Sequence, residues 1–396
     1  MYLIQSFYKY IMFFLFVSVL GCQCAKDKNI VVLDAKLINT SVDITDHISE
    51  IEYTLLSNSK KSPILSHMHS AVFLDSIFVF RNLGPDKSNL FVYDYNGHEV
   101  FTISSTGMGP MEVNQFDDFC AKDDSTIIIS DLIKSTIYEF NLNTEEFVFE
   151  KTMSTRLKNI YYWNNHFVGL SVNGNGGYLN IYNDNYNKID SFINTPTYFN
   201  EIQGRKTFVN STDYLYLNGA LSDTIYRLNT ELSLEAVCKI GAGENDIQEL
   251  NDAEVMSYIF QKPTNLLPQS MKFISYGSVY MRDPLVIVPL LNSYWVLYDK
   301  RDNFCALINK DNITNYDLLH NGFFKNLNSI DDDYVYTTIN LDDHMLHKMN
   351  MYVKGNSNVV SRAIGDFMSD LPSLVDPELP VLVRYKLDAG WHEGLK

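Results

Sequence analysis

One local pattern, met six times, limits most strongly what this chain can fold into. An apolar residue, three further residues and a closing Asp or Asn recur at Leu90–Asp94, Ile137–Asn141, Leu179–Asn183, Ile225–Asn229, Trp295–Asp299 and Leu346–Asn350. The first and fourth positions are apolar every time. The closing side chain is suited to accept hydrogen bonds from backbone a few residues on and so to open a turn. Turn residues follow directly, as in Asn96-Gly97 and Asn143-Thr144. Successive anchors lie 47, 42, 46, 70 and 51 residues apart. Each follows another short strand set off by an acidic turn, as with Ile77–Phe80 after Asp75, Ile127–Ile129 after Asp124, Tyr214–Leu217 after Asp213 and Tyr334–Tyr336 after Asp333. Units of 40–50 residues built from short strands bury their faces on their neighbours and close into a ring. The pattern therefore predicts an all-β, six-bladed β-propeller.

A ring needs a closing blade. Ile30–Leu33 and Ile51–Leu56 near one end, and Val381–Leu387 near the other, are the segments available for it. The spacing of 70 holds one insertion, residues 246–271, in which Leu250, Val255, Tyr258 and Ile259 recur at helical spacing before Lys262-Pro263 ends the run. It is predicted as the one helical insertion, packed over a blade edge or, alternatively, lying across the channel.

Composition agrees with a large β domain. Hydrophobic residues make up 46% of the 396, with 26 Tyr and 24 Phe against 3 Trp. That is enough apolar mass for a core and favours strands. With 48 Asp and Glu against 31 Lys and Arg, the net charge is −17, and no basic run of five residues occurs. Phosphate backbones are repelled, so nucleic acid is excluded as an expected partner.

The N-terminus reads as an address. A single charge, Lys9, precedes the apolar run Ile11–Leu20, which as a helix reaches about half of a ~30 Å bilayer core. That is the length of a signal region and too short for a span. Val19-Leu20-Gly21-Cys22 follows and is similar to the lipobox of bacterial lipoprotein signals. The resemblance implies cleavage between Gly21 and Cys22 and a lipid on the Cys22 sulfur. Residues 1–21 are then the signal, 22–29 a tether and 30–396 a single propeller. The expected location is the cell envelope, lipid-anchored at the outer membrane; Asp27 alone does not decide which face. Cys120, Cys238 and Cys305 lie far apart with no C-x-x-C pair, so buried thiols are expected rather than a disulfide framework.

Several ordered motifs resemble those of the six-bladed β-propeller lipoproteins of the Bacteroidetes, largely domains of unknown function related to NHL-repeat propellers. Gly107-Met108-Gly109-Pro110-Met111-Glu112 is similar to that family's G-x-G-P-G-E turn, with Met111 in place of the third glycine. Ser222–Tyr226 is similar to its D-T-I-Y strand opening, Leu379–Val383 to its closing strand, and Asp46–Leu55 to its first segment. The resemblance implies fold and envelope location and carries no established activity.

His67 with His69, and His344 with His347 beside Asp342 and Asp343, lack a third ligand at diagnostic spacing and are read as exposed polar residues. Asp331–Asp333 and Asp299–Asn303 lack the calcium-loop pattern and are read as turns. No G-x-S-x-G elbow or phosphate loop occurs, and 174–177 is a hairpin turn. Tyr161-Tyr162-Trp163 and Tyr294-Trp295 are read as inter-blade core, with stacking on sugar rings the alternative. No metal, cofactor or catalytic residue is assigned. The expected function is a lipid-anchored binding or scaffold module for an envelope protein or glycan. The alternative is a divalent-cation-dependent propeller enzyme, a lactonase-like hydrolase or lyase working in the central channel.

Overall fold

The Asp or Asn that closes each repeat opens a turn in five of the six places. Asp94 Oδ1 accepts from the backbone N–H of Asn96 and His98, both at 2.9 Å. Asn141 Oδ1 does so for Asn143 and Thr144, Asn183 Oδ1 for Asn185 and Asn187, and Asn229 Oδ1 for Glu231 and Ser233. Asp299 Oδ1 takes the N–H of Arg301 at 2.9 Å. These bonds fix the hairpin between the third and fourth strands of a blade. Asn229→Ala is accordingly expected to lower stability by about 1 kcal/mol through two unmet N–H groups; a urea midpoint equal to that of the wild type would refute the turn's role.

A computed structural model describes residues 31–34, 36–38, 41–56, 68–83, 88–173, 176–194, 208–210, 213–218, 224–241, 280–282, 285–289, 294–299, 301, 304–309, 312–315, 318–319, 327–330, 334–371 and 380–388. Four N-terminal strands come first: β1 (Val31–Asp34), β2 (Lys36–Ile38), β3 (Val42–Asp43) and β4 (Ile48–Leu55). Blade 1 holds β5 (Met68–Phe73), β6 (Ile77–Leu83), β7 (Ser88–Asp94) and β8 (Glu99–Ser104). Blade 2 holds β9 (Asp118–Asp123), β10 (Thr126–Asp131), β11 (Thr136–Asn141) and β12 (Glu146–Thr152). Blade 3 holds β13 (Arg156–Trp163), β14 (His166–Asn173), β15 (Gly176–Tyr182) and β16 (Lys188–Asn194). Blade 4 holds β17 (Phe208–Asn210), β18 (Tyr214–Asn218), β19 (Thr224–Asn229) and β20 (Leu234–Gly241). Blade 5 holds β21 (Tyr280–Arg282), β22 (Leu285–Pro289), β23 (Tyr294–Asp299) and β24 (Phe304–Asn309), and the short β25 (Ile313–Thr314) follows it to pair with β3. Blade 6 holds β26 (Leu327–Ile330), β27 (Val335–Asn340), β28 (Pro380–Leu387) and, outermost, β4.

Blade 6 therefore joins the two ends of the chain. Tyr53 of β4 pairs in register with Val383 of β28, and Leu55 with Val381. Two of the three segments expected to close the ring do so. The third instead runs along the rim: β1 adds in parallel to β20 and β2 in parallel to β24, giving blades 4 and 5 a fifth strand.

Among the described residues, five of the six seams between blades are apolar. Val79 and Leu90 meet Phe119 and Ile127 between blades 1 and 2, and Ile128 and Ile137 meet Leu157 and Phe167 between blades 2 and 3. Trp163 and Leu179 meet Phe208 and Leu215 between blades 3 and 4. Inner strands β17 and β21 touch between blades 4 and 5. Trp295 and Leu297 meet Val335 and Val381 between blades 5 and 6, and Leu382 meets Phe78 and Phe91 where blade 6 returns to blade 1. Phe73 and Tyr336 stack across that last seam at 4.1 Å. Much of the aromatic surplus is spent here, as hydrophobic area with preferred ring geometry.

One expected strand is a helix. Leu346–Asn350, the sixth anchor, lies in α1 (Asp343–Gly355), which leads into α2 (Val359–Asp370). The Asp342 side chain caps α1 by accepting from Met345 N at 2.7 Å, and Met345, Met349 and Tyr352 are buried at helical spacing. Apolar residues at first and fourth positions fit one face of a helix as well as a short strand. Here the cap and the i, i+4, i+7 burial decide. The third strand of blade 6 is β28, after this hairpin. α2 packs on β4, with the Tyr53 and Phe367 rings 5.6 Å apart. The insertion expected at 246–271 lies outside the described residues, as do residues 1–30 with Gly21 and Cys22, His67 and Asp331–Asp333.

Candidate functional site

In an up-and-down blade, the second-to-third connection and the link to the next blade fall at the same end of the strands. The turn between β8 and β9 therefore meets the connection between β10 and β11, and the two are bonded together. Thr106 N and Gly107 N donate to Val113 O, and Glu112 N donates to Gly109 O. The Glu112 carboxylate accepts from Gly109 N at 2.6 Å. Lys134, from the facing connection, donates to the carbonyls of Gly109 and Glu112, both at 2.8 Å, and the Tyr138 hydroxyl also reaches Glu112 O. Buried Asp131 takes the N–H groups of Asn114, Gln115 and Lys134. Met111 sits at φ +55, where the related motif has glycine. The turn is thus held from both sides, while Met108 at its tip is 62% exposed.

Below this turn the start of the inner strand β9 carries the charges. The Arg81 guanidinium, only 8% exposed, donates to the carbonyls of Phe116 and Asp117. Asp117 Oδ2 accepts from Leu132 N at 2.6 Å, and its Oδ1 from Gln115 at 2.9 Å. Asp118 Oδ2 accepts from Ile160 N on β13 at 2.8 Å, tying blade 2 to blade 3. Burial pushes the Asp118 carboxyl up to about 7, against the pull of the Ile160 N–H and the Arg81 charge. Burial also raises Asp117, with the Asp131 charge adding to it and Arg81 and Lys158 opposing. The arrangement is a largely buried polar patch where blades 1, 2 and 3 meet.

The residues singled out from sequence fall as follows. Trp163 and Trp295 are buried in blade seams, and Tyr161 packs on Phe208 at 6.0 Å. Tyr162 donates to Asp184 at 2.7 Å. Asn164 and Asn165 make the turn between β13 and β14 at positive φ. His344 and His347 are exposed on α1, with Asp342 used as its cap. Asp299 is fully buried and ion-paired to Arg301 at 2.9 Å. Cys120 is a buried free thiol whose pKa burial raises. Among the described residues no group of three or more His, Cys, Asp or Glu side chains could hold a metal. Sequence reasoning missed Arg81, Asp117, Asp118 and Asp131. The available signal was a lone arginine inside the apolar run Phe78–Leu83, with two adjacent acids behind Phe116.

Six blades closed by both chain ends define the class as a six-bladed β-propeller. The chain belongs to the family DUF5128, described as a 6-bladed beta-propeller, whose model matches residues 22–337. Among solved structures it is similar to a protein of Bacteroides fragilis described as exported, at 18% identity and a TM-score of 0.65, covering 90% of this chain and all of that one. It is more distantly similar to the WD40 domain of Neurospora crassa Pan2, at 12% identity and a TM-score of 0.41, covering 69% of this chain and 79% of that one. No curated protein matches. Among the described residues no helix is long and apolar enough to cross a membrane.

Proposed function

We propose that the protein is a lipid-anchored binding or scaffold module of the bacterial cell envelope, holding a protein or glycan partner at the face that carries the turn between blades 1 and 2. The observation that carries this reading is the build of that face. A turn cross-bonded to Asp131, Lys134 and Tyr138 presents the exposed Met108, and the largely buried Arg81, Asp117 and Asp118 brace the strand end below it. A backbone held in place in this way lowers the ordering cost of binding. The signal-like segment and Cys22 support the anchor, and the exported description of the Bacteroides fragilis neighbour agrees with an envelope location.

Two experiments test it. Cys22→Ser is expected to move the protein from the membrane fraction to the soluble fraction; retention in the membrane would overturn the anchor. Protein lacking residues 1–21 is then screened against a glycan array and an envelope extract. A partner whose binding falls at least tenfold in Met108→Asp supports the reading. Binding insensitive to that change, or none on either screen, overturns it. A stoichiometric divalent cation in the purified protein would favour the enzyme alternative instead.

A further inference from the structure

The rim of a propeller is a set of strand edges, each with unpaired N–H and C=O groups that invite another strand. This chain fills some of them itself. β1 adds to the outer strand of blade 4 and β2 to that of blade 5, both in parallel. In blade 6 the outer strand β4 lies under α2. Blades 1, 2 and 3 keep four strands among the described residues, so β8, β12 and β16 are their outer edges.

These three edges are guarded differently. β12 carries Glu146, Glu150 and Lys151, and β16 carries Lys188 and Asp190. Charges along an edge discourage pairing, because a docked strand would desolvate them. β8 reads Glu-Val-Phe-Thr-Ile-Ser, with no charge after its first residue and no proline. Val100 on it is 53% exposed. A cleft of about 460 Å³ runs beside this strand, lined by Phe101, Thr102, Ile103 and Ser104 in unbroken succession. Successive residues of a strand point to opposite faces. Four in a row along one cleft mean that the cleft follows the edge of β8 rather than one of its faces. Its opposite wall is Phe140 and Phe147 of blade 2, with Met111 also in the lining and Glu145 and Glu146 as its acidic members.

We infer that the edge of β8 is an acceptor for one extended peptide segment of a partner protein. That segment carries Lys or Arg opposite Glu145 and Glu146, and apolar side chains that lie against the packed rings of Phe101, Phe140 and Phe147. Main-chain bonds along the edge supply affinity, and the alternate side chains in the cleft supply selectivity. Charge decides between occupants. A second copy of this chain would bring its own net −17 and a second Glu145–Glu146 pair to the same place, whereas a basic segment is attracted there. The site is distinct from the patch at Asp118 and stands whether or not that patch binds anything.

The test uses the protein without residues 1–21 and three labelled synthetic heptapeptides: Lys-Val-Thr-Val-Thr-Val-Lys, its twin with Glu at both ends, and a version of the basic peptide with proline at the centre. Binding is followed by fluorescence anisotropy and by amide hydrogen exchange. The basic peptide is expected to bind at least tenfold more tightly than either of the others and to slow exchange within residues 99–104. Glu145→Lys with Glu146→Lys, both at exposed positions, is expected to weaken it at least tenfold while leaving the urea midpoint unchanged. Equal binding of the acidic peptide, protection elsewhere on the ring, self-association through residues 99–104, or no protection at millimolar peptide would each overturn the proposal.

Discussion

Replacing Arg81 by alanine is expected to lower stability by about 3 kcal/mol at pH 8, and by clearly less at pH 5. The guanidinium bonds the carbonyls of Phe116 and Asp117 and faces the carboxyls of Asp117 and Asp118. Without it these carbonyls lose their donor, and two poorly solvated acids lose their counter-charge. The pH dependence follows from Asp118. Its folded pKa of about 7 stands above the 3.8 of an ordinary aspartate, so between those values the folded state binds more protons than the unfolded one. Stability from this group is then present at low pH and lost as pH rises towards 7. Asp94, Asp123 and Asp184 are held low and act in the opposite sense, losing stability as pH falls. The comparison must therefore be made with Asp118→Asn, whose stability should fall less than that of the wild type between pH 5 and 8. Arg81→Ala combined with Asp118→Asn should recover part of the loss at pH 8. A loss in Arg81→Ala that is equal at both pH values, with no recovery in the double variant, would show that the charges are not coupled through the fold.

Gly97→Ala should be comparably damaging for a steric reason. Gly97 has φ +82, and a Cβ there would lie 2.2 Å from Leu55 O and 2.9 Å from Thr54 Cγ2. Those atoms are backbone and side chain of β4, the N-terminal strand that closes the ring. The Thr54 methyl can turn away, but the Leu55 carbonyl cannot withdraw without shifting β4 against β28. Backbone strain at positive φ adds to the overlap, for a loss of about 3 kcal/mol or more. His98→Ala next to it removes only an exposed contact to Asp94 and is the control. An unfolding free energy from urea titration within about 1 kcal/mol of the control would mean that the turn does not sit against β4 in solution.

How far the fold could be read from the chain is clearest at the two kinds of anchor. At Asn141, Asn183 and Asn229 the determining interaction is local: a side chain bonds backbone two to four residues on, so the pattern appears wherever the turn does. At Leu346–Asn350 the same spacing belongs to α1, where the Asp342 cap and the burial of Met345, Met349 and Tyr352 against β4 and blade 5 decide together. The cap is local, but the burial depends on elements far along the chain. The closing segments at Ile51–Leu56 and Val381–Leu387 were legible as strands, whereas the destination of Val31–Asp34 on blade 4 was not. Edge pairing uses backbone groups that every residue carries. The site was less legible still. Arg81 lies 36 residues from Asp117 along the chain, and their meeting depends on the packing of blade 1 on blade 2.

By itself, then, the sequence determined a ring of short-stranded repeats, the turns within five of them and the acidity of the whole, because turns and alternation are written in neighbouring residues. Only the tertiary structure decided which ends close the ring, which edges are covered and which are open, and which acid sits where water is scarce enough to raise its pKa to about 7. Those properties arise from contacts between residues tens to hundreds of positions apart, and from the solvent that such contacts exclude.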